Sequence, residues 1–130
     1  MWRADWAGRA FKSQPELRHP VVTHNISQVR VVRFLERVDS LSAPGVEVEM
    51  QQLVSGGARR LVCDLTATQY ISSAGLRVIL AVAKALRQQG GQLRLACGKV
   101  GYVYEVLQTS GFTSIIPVHE TVAEAVEQMQ

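Results

Sequence analysis

The sequence predicts a single α/β domain with a mixed, mostly parallel sheet of about five strands and about four helices, in the order ββαβαβαβα. The first observation is the size and composition, since 130 residues with 47% hydrophobic side chains fit one globular domain. The second is an alternation along the chain between short β-branched or apolar runs and segments whose apolar residues recur every three or four positions. Such an alternation implies right-handed crossovers between parallel strands, with helices packed against the sheet.

Residues 1–20 differ from the rest of the chain and are predicted to be a mobile N-terminal extension, which leaves residues 21–130 as the domain. Trp2, Trp6 and Phe11 stand among charges there, without a sustained period of 2 or 3.6. Two alternatives stay open for this segment. It is an arm that docks on a partner or touches a membrane, or it is a disordered tail or an overextended start of the sequence.

The elements of the first half of the domain are marked by β-branched runs and by helix start and stop signals. The strands are expected at Val21–Ile26, Val29–Val38 and Leu61–Leu65, the last as a run buried on both faces. Between them a helix starts after Ser42, a candidate N-cap, and ends at Ser55-Gly56-Gly57.

The second half continues the same alternation. It contains a helix from Ser73 to Gly90-Gly91, a strand over Leu93–Cys97, a helix over Val100–Thr109 that Gly111 ends, a strand over Ser114–Val118 and a last helix over Thr121–Met129. Thr121 followed by Glu124 matches a capping box at the start of that helix.

Charge and hydropathy exclude several classes of partner. The net charge is +3, and residues 1–20 contribute four basic and two acidic side chains, so the other 110 residues hold ten basic and nine acidic ones. That balance does not form the basic surface of a nucleic-acid-binding domain. The longest apolar run, Val78–Ala83, is far shorter than a membrane span, and Met1–His19 does not resemble a signal peptide. We therefore expect a cytoplasmic protein without direct membrane insertion.

The residues also argue against an enzyme and against a bound cofactor. Ser catalysis needs a base within hydrogen-bond reach, and His19, His24 and His119 lie in the extension, the first strand and a late loop. There is no phosphate-binding GxxxxGK[ST] motif and no closely spaced set of metal ligands. Cys63 and Cys97 stand in apolar runs without a CxxC pair, so they are predicted to be buried thiols.

The segment around Ser72 and Ser73 is the most informative for function, because two hydroxyls stand where a loop enters a long helix. The free N–H groups of a helix start and its macrodipole stabilise an anion, so a phosphate on either serine could be held there without unfolding the helix. The alternative is that the serine is only an N-cap, which contributes about 1 kcal/mol.

Three motifs together resemble the STAS domain of bacterial anti-sigma factor antagonists. They are Ser72-Ser73-Ala74-Gly75-Leu76, the preceding strand Leu61-Val62-Cys63-Asp64-Leu65, and Leu107-Gln108-Thr109-Ser110-Gly111-Phe112, which is similar to the family's Leu-x-x-Ser-Gly-Phe. The resemblance covers residues 21–130, and the combination is specific although each motif alone is weak.

The resemblance implies a site at which a cognate kinase phosphorylates Ser73, with Ser72 as a second candidate. Many family members carry Asp at the position of Ser72 and Gly at that of Glu36-Arg37, so this chain departs from the pattern at both places. Arg77, one turn after Ser73, is a candidate to pair with the phosphate or with an acidic partner, and the alternative is a solvated helix charge. The implied partner-binding surface consists of Asp39, Ser42, Asp64, Ser72, Ser73, Ala74, Gly75 and Arg77. For Asp64, at the end of a strand, a cap or turn role is the equal alternative.

The implied function is a reversible switch. The unmodified face would dock on an anti-sigma factor Ser/Thr kinase and release a sigma factor, phosphorylation would break the docking, and a metal-dependent Ser/Thr phosphatase would reset it. Two other functions remain open at this point: a cytoplasmic STAS subunit of a membrane transport assembly, and a module that senses a small ligand or nucleotide.

Overall fold

The structure is a computed structural model that describes residues 3–5, 8–9 and 21–130. Its strands and helices, in chain order, are β1 (Arg3–Asp5), β2 (Gly8–Arg9), β3 (Val21–Ile26), β4 (Val29–Phe34), β5 (Arg37–Val38), α1 (Ala43–Ser55), β6 (Arg60–Asp64), β7 (Tyr70–Ile71), α2 (Ser73–Gln88), β8 (Gln92–Ala96), α3 (Tyr102–Thr109), β9 (Val118–His119) and α4 (Val122–Glu127). A short 3-10 helix over Phe112–Ser114 follows α3.

The main sheet has five strands in the order β3-β4-β6-β8-β9. β3 pairs with β4 in the antiparallel sense, and the other three pairings are parallel. The predicted sheet, its mostly parallel character and the order of its five strands and four helices are therefore confirmed. Two further two-stranded sheets stand apart from it, an antiparallel pair of β1 and β2 and a parallel pair of β5 and β7.

The predicted strand Val29–Val38 is divided in the structure, and the division creates β5. The chain leaves the main sheet after Phe34. Three hydrogen-bond donors at and just before β7 hold residues 35 and 36 in the new direction. Thr68 Oγ1 donates to the Leu35 carbonyl at 2.9 Å, and the Gln69 and Tyr70 amides donate to the Glu36 carbonyl. The redirected chain then pairs with β7, a strand that the sequence does not predict because two residues carry no period.

Two predicted elements near the C-terminus are corrected. The strand expected over Ser114–Val118 is wrong for most of its length, since a 3-10 helix ends at Ser114 and β9 begins only at Val118. The helix expected from Val100 starts at Tyr102, after Gly101 with φ at +111°. That backbone conformation lies outside the helical region, so the helix cannot start earlier.

Two apolar clusters lie on the two faces of the main sheet. The larger one contains Leu61, Cys63 and Leu65 and packs beneath α1 and α2, whereas Val62 belongs to a smaller cluster beneath α4. This division follows from the period of two along a strand. Cys63 and Cys97 are both buried and free, as predicted, and burial raises the pKa of each thiol.

Residues 1–20 lie largely outside the described residues, so their role as a mobile extension stays a prediction. In the described part of the chain, no helix has the length and apolar character that crossing a bilayer requires.

Candidate functional site

The parallel pair of β5 and β7 brings the two loops of the predicted site together. Val38 stands opposite Ile71, and the Ser72 amide extends this pairing by donating to the Val38 carbonyl at 2.8 Å. Asp39 and Ser72 are the first residues after the two strands. They therefore lie side by side at the point where α1 and α2 begin.

A glycine lets α2 approach this pair of strands closely. Gly75 is buried in the first turn of α2, and a Cβ atom built on it would lie 2.8 Å from Ile71 Cγ1 and 2.9 Å from Val38 Cγ1. Real Cβ atoms do not come this close to other carbons, so a side chain here would push apart the strands that position Asp39 and Ser72. The predicted site glycine is thus a packing requirement.

The two adjacent serines have different surroundings. Ser72 is half-buried, has an extended backbone (φ −88°, ψ 171°), and its Oγ accepts a hydrogen bond from the Gly75 amide at 3.3 Å. It is therefore the N-cap of α2. Ser73 is the first residue of α2 and is exposed, and its hydroxyl has no hydrogen-bond partner among the residues that the structure describes.

Asp39 organises the loop that leads into α1. Its Oδ1 accepts hydrogen bonds from the Leu41 amide at 3.0 Å and the Ser42 amide at 3.1 Å. Its own amide donates to Ser42 Oγ at 3.0 Å. Donation from the Ser42 amide, more than any other contact, holds the pKa of the Asp39 carboxyl below its usual value. Ser42 occupies the predicted N-cap position, but its hydroxyl binds Asp39 and does not cap the helix.

An arginine and two tyrosines form a stack beside this loop, which sequence reasoning missed. The Arg37 guanidinium lies 4.3 Å above the Tyr70 ring, and the Tyr70 ring stacks on Tyr102 with centroids 5.8 Å apart and planes 6° from parallel. Arg37 Nε also donates to Asp39 Oδ2 at 3.3 Å. The contacts join three separate segments, and the sequence signal was only that Arg37 departs from the family pattern.

A groove between α1 and α2 extends along α2 from Ala74, the residue after Ser73. Its volume is about 530 Å³, and it is lined by Ser40, Ala43, Pro44, Glu47, Ala74, Arg77, Val78, Leu80, Ala81 and Lys84. Arg77 and Lys84 are exposed at its edge. Leu41, which follows the lining residue Ser40 in the chain, is 90% exposed. The groove thus combines apolar side chains with one acidic residue, Glu47, and with two cations, Arg77 and Lys84, that have no ion-pair partner among the described residues.

Asp64 is the predicted site residue that lies away from the others. It follows Val62 by two positions, so its side chain projects toward the face of the sheet that α4 covers, opposite to α2. Its Oδ1 accepts hydrogen bonds from the Thr66 amide at 2.9 Å and from Thr66 Oγ1 at 2.6 Å. These contacts give Asp64 a role in the turn after β6, and its place on a partner-binding surface stays a prediction.

Possible metal ligands and the histidines complete the description of the site chemistry. Residues 3–5, 8–9 and 21–130 contain no group of three His, Cys, Asp or Glu side chains that could hold a metal ion. His24 and His119 lie in β3 and β9, the two edge strands, and His19 lies outside the described residues. The pKa of His119 is lowered mainly by burial. The Arg94 guanidinium, 3.1 Å from His119 Nε2, lowers it further.

Comparisons with known proteins agree with this architecture. BtrV from Bordetella bronchiseptica, whose name describes an anti-sigma factor antagonist, is 52% identical over 81 residues, which is 62% of this chain and 69% of BtrV. The crystal structure of an anti-sigma factor antagonist from Mycobacterium paratuberculosis superposes with a TM-score of 0.76 at 20% identity, over 83% of this chain and 91% of that one.

A second solved structure comes from Bacillus. The phosphorylated form of the cell-fate determinant SpoIIAA superposes with a TM-score of 0.67 at 16% identity, over 85% of this chain and 99% of SpoIIAA. At these identities the two structures show a common fold. The STAS domain model matches residues 20–125, which is most of the chain. This protein therefore belongs to the STAS domain family.

Proposed function

We propose that this protein is a phosphorylation-controlled anti-sigma factor antagonist. In the cytoplasm it binds an anti-sigma factor Ser/Thr kinase, the bound kinase releases its sigma factor, and a metal-dependent Ser/Thr phosphatase restores the phosphorylated protein to its binding form. The similarity to BtrV supports this assignment, since the 81 matched residues are half identical.

The single observation that carries the proposal is the position of Ser73. Its hydroxyl is exposed, has no hydrogen-bond partner among the described residues, and stands at the start of the 16-residue helix α2. A kinase can therefore reach it without opening the domain. The neighbouring Ser72 hydroxyl already accepts the Gly75 amide, which makes it the poorer acceptor of a phosphate.

Local electrostatics make the modified protein stable. A phosphoserine at residue 73 adds about −1.5 to −2 charges at pH 7. The free amides and positive macrodipole of the α2 N-terminus stabilise this charge, and Arg77, four residues later and exposed, lies on the same helix face. The fold is therefore expected to survive phosphorylation.

The same charge disrupts docking. The surface beside Ser73 includes the apolar groove between α1 and α2 and the exposed Leu41, both of which a bound partner would cover. A dianion enclosed in that contact loses its hydration, and this cost is large unless the partner supplies cations. Binding and modification therefore exclude each other at one surface.

The test uses purified candidate anti-sigma factor kinases from the genomic neighbourhood, and it measures their binding by calorimetry and modification by mass spectrometry after incubation with ATP. We expect Ser73→Ala to bind like the unmodified wild type and to resist modification, and Ser73→Glu to bind at least about tenfold more weakly because one charge is desolvated. Ser72→Ala should still be modified at Ser73.

Ser114→Glu is the matched control, because Ser114 is also exposed and lies in the 3-10 helix after α3. It should bind like the wild type. Equal binding by Ser73→Ala and Ser73→Glu, or modification at Ser72 alone, would contradict the proposal.

A further inference from the structure

A cleft of about 450 Å³ lies at the amino-terminal end of the parallel strands, opposite to Ser73. It is lined by Asn25, Gln28, Arg30, Gly56, Gly57, Ala58, Arg59 and Arg60. Its volume is within the usual range for small-molecule sites. Three of the lining residues are arginines, two carry side-chain amides, and none of those that the structure describes is acidic.

Backbone carbonyls hold two of these arginines in place. Arg59 Nη1 donates to the Val54 carbonyl at 3.1 Å and to the Ala58 carbonyl at 2.8 Å, and Arg60 Nη1 donates to the Met129 carbonyl at 2.9 Å. Arg60 shares its face of β6 with Val62, on the side of α4, so only Arg59 can meet Arg30 at the cleft. A guanidinium has five N–H donors, and Nε and Nη2 of Arg59 have no partner among the residues that the structure describes. A fixed guanidinium loses less conformational entropy when it binds an anion.

The third arginine is half-buried and lies across from an amide. Arg30 stands opposite Asn25 in the β3–β4 pairing and next to Leu61 of β6. Among the residues that the structure describes, its side chain has neither a hydrogen-bond partner nor an ion-pair partner. Arg30 and Arg59 line one cleft that has no acidic lining residue among those that the structure describes, so an anion there would be attracted by both cations.

The turn beside the cleft has an unusual composition. Ser27 and Gln28 connect Ile26 to Val29 as a two-residue hairpin loop, with φ at +50° and +68°. Such turns favour Asn-Gly, because residues with a Cβ are strained at positive φ. Gln28 adopts this costly conformation and also lines the cleft, where its side-chain amide can donate to a ligand.

We propose that this cleft binds a small phosphate-bearing anion. Arg30 and Arg59 neutralise its charge through their N–H donors, and Asn25 and Gln28 donate from their side-chain amides. The site is independent of the proposed function, because about 13 Å of strand β6 separate Arg60 from Asp64 at the other end of the sheet.

The experiment titrates the ¹⁵N-labelled full chain with inorganic pyrophosphate at constant ionic strength. Saturable shifts of amides in residues 25–30 and 56–60 are expected. Arg30→Ala should weaken binding about tenfold or more, as the loss of a charge-assisted hydrogen bond does. Arg33→Ala is the matched control, since Arg33 lies in the same strand but projects to the opposite face, and it should bind like the wild type.

A second variant separates binding from folding. Gln28→Gly relieves the turn, so its melting temperature should rise or stay equal while its affinity for pyrophosphate falls. Flotation with phosphatidylglycerol vesicles distinguishes a lipid headgroup from a free ligand as the source of the phosphate. Shifts that grow linearly over the whole surface, or equal affinities of Arg30→Ala and Arg33→Ala, would overturn the proposal.

Discussion

The two ends of the main sheet differ in how their charged side chains are partnered. At the carboxyl end, the Asp39 carboxylate is surrounded by donors from Arg37, Leu41 and Ser42, and the open group is a neutral hydroxyl. At the amino end, guanidinium groups line a cleft without an acidic partner among the described residues. The comparison teaches that the proposed phosphorylation and the proposed anion binding would use opposite ends of one sheet.

Each end also depends on a glycine that allows a close approach, but the neighbouring atoms differ. A Cβ on Gly75 would meet side-chain carbons of Val38 and Ile71, whereas a Cβ on Gly91 would meet the backbone of Arg59, including its carbonyl oxygen. That oxygen accepts the Gln92 amide at 2.8 Å. Side chains adjust more easily than a hydrogen-bonded backbone. We therefore expect a substitution of Gly91, at the amino end, to destabilise the fold more than a substitution of Gly75.

The largest expected effect is that of Gly91→Ala. The new methyl group must displace the Arg59 backbone, so the free energy of unfolding should fall by about 3 kcal/mol in urea denaturation. Gly98→Ala is the control, since no atom lies within 4 Å of its Cβ position, and it should not lose stability. A loss below about 1 kcal/mol for Gly91→Ala would contradict the assigned packing.

Gly75→Ala should have a smaller effect on stability and a clear effect on docking. Overpacking against Val38 and Ile71 costs about 1–3 kcal/mol, and alanine regains part of this through its better helix propensity. We expect a net loss of about 1–2 kcal/mol together with weaker binding of the kinase, because the strands before Asp39 and Ser72 move. Unchanged binding in calorimetry would show that the site does not need this geometry.

The two serines should differ when each is replaced by alanine. Ser72→Ala removes the cap of α2 and should lower the free energy of unfolding by about 1 kcal/mol. Ser73→Ala removes an exposed hydroxyl and should change it by less than about 0.5 kcal/mol. Thermal and urea unfolding of both variants measures the contrast, and equal losses would refute the division between a capping and a modified serine.

The smallest expected effect is a pH dependence from Asp39. Its pKa in the folded state lies below the unfolded value of about 3.9, so ionised Asp39 stabilises the fold above that pH, and this contribution is lost as the pH falls through the folded pKa. The difference in melting temperature between wild type and Asp39→Asn should be constant from about pH 7 to 5 and should shrink in more acidic buffer. A difference that widens on acidification would contradict this assignment.

The regular elements could be predicted from sequence because their signals are local. The start of α2 follows from Ser72 and the apolar period after it, and the main strands follow from β-branched runs. The pair of β5 and β7 could not be predicted. Two-residue strands have no period, and their pairing depends on contacts between Thr68 and Leu35 across 33 positions.

The candidate site could be predicted only in part, again because some of its contacts join distant segments of the chain. The resemblance placed Asp39, Ser72 and Ser73 together, and the structure does bring Asp39 and Ser72 side by side. It could not reveal that Asp64 projects to the opposite face, since that depends on the register of β6. The stack of Arg37 on Tyr70 and Tyr102 likewise needs three segments to meet in space.

The two buried thiols have a consequence for signalling under stress. Oxidants such as peroxide attack the thiolate, and burial of Cys63 and Cys97 disfavours that form and shields both sulfur atoms. Both cysteines of the chain are therefore poor targets for oxidation. An oxidative burst in the cell would then leave the proposed phosphorylation of Ser73 as the modification that sets the output of this domain.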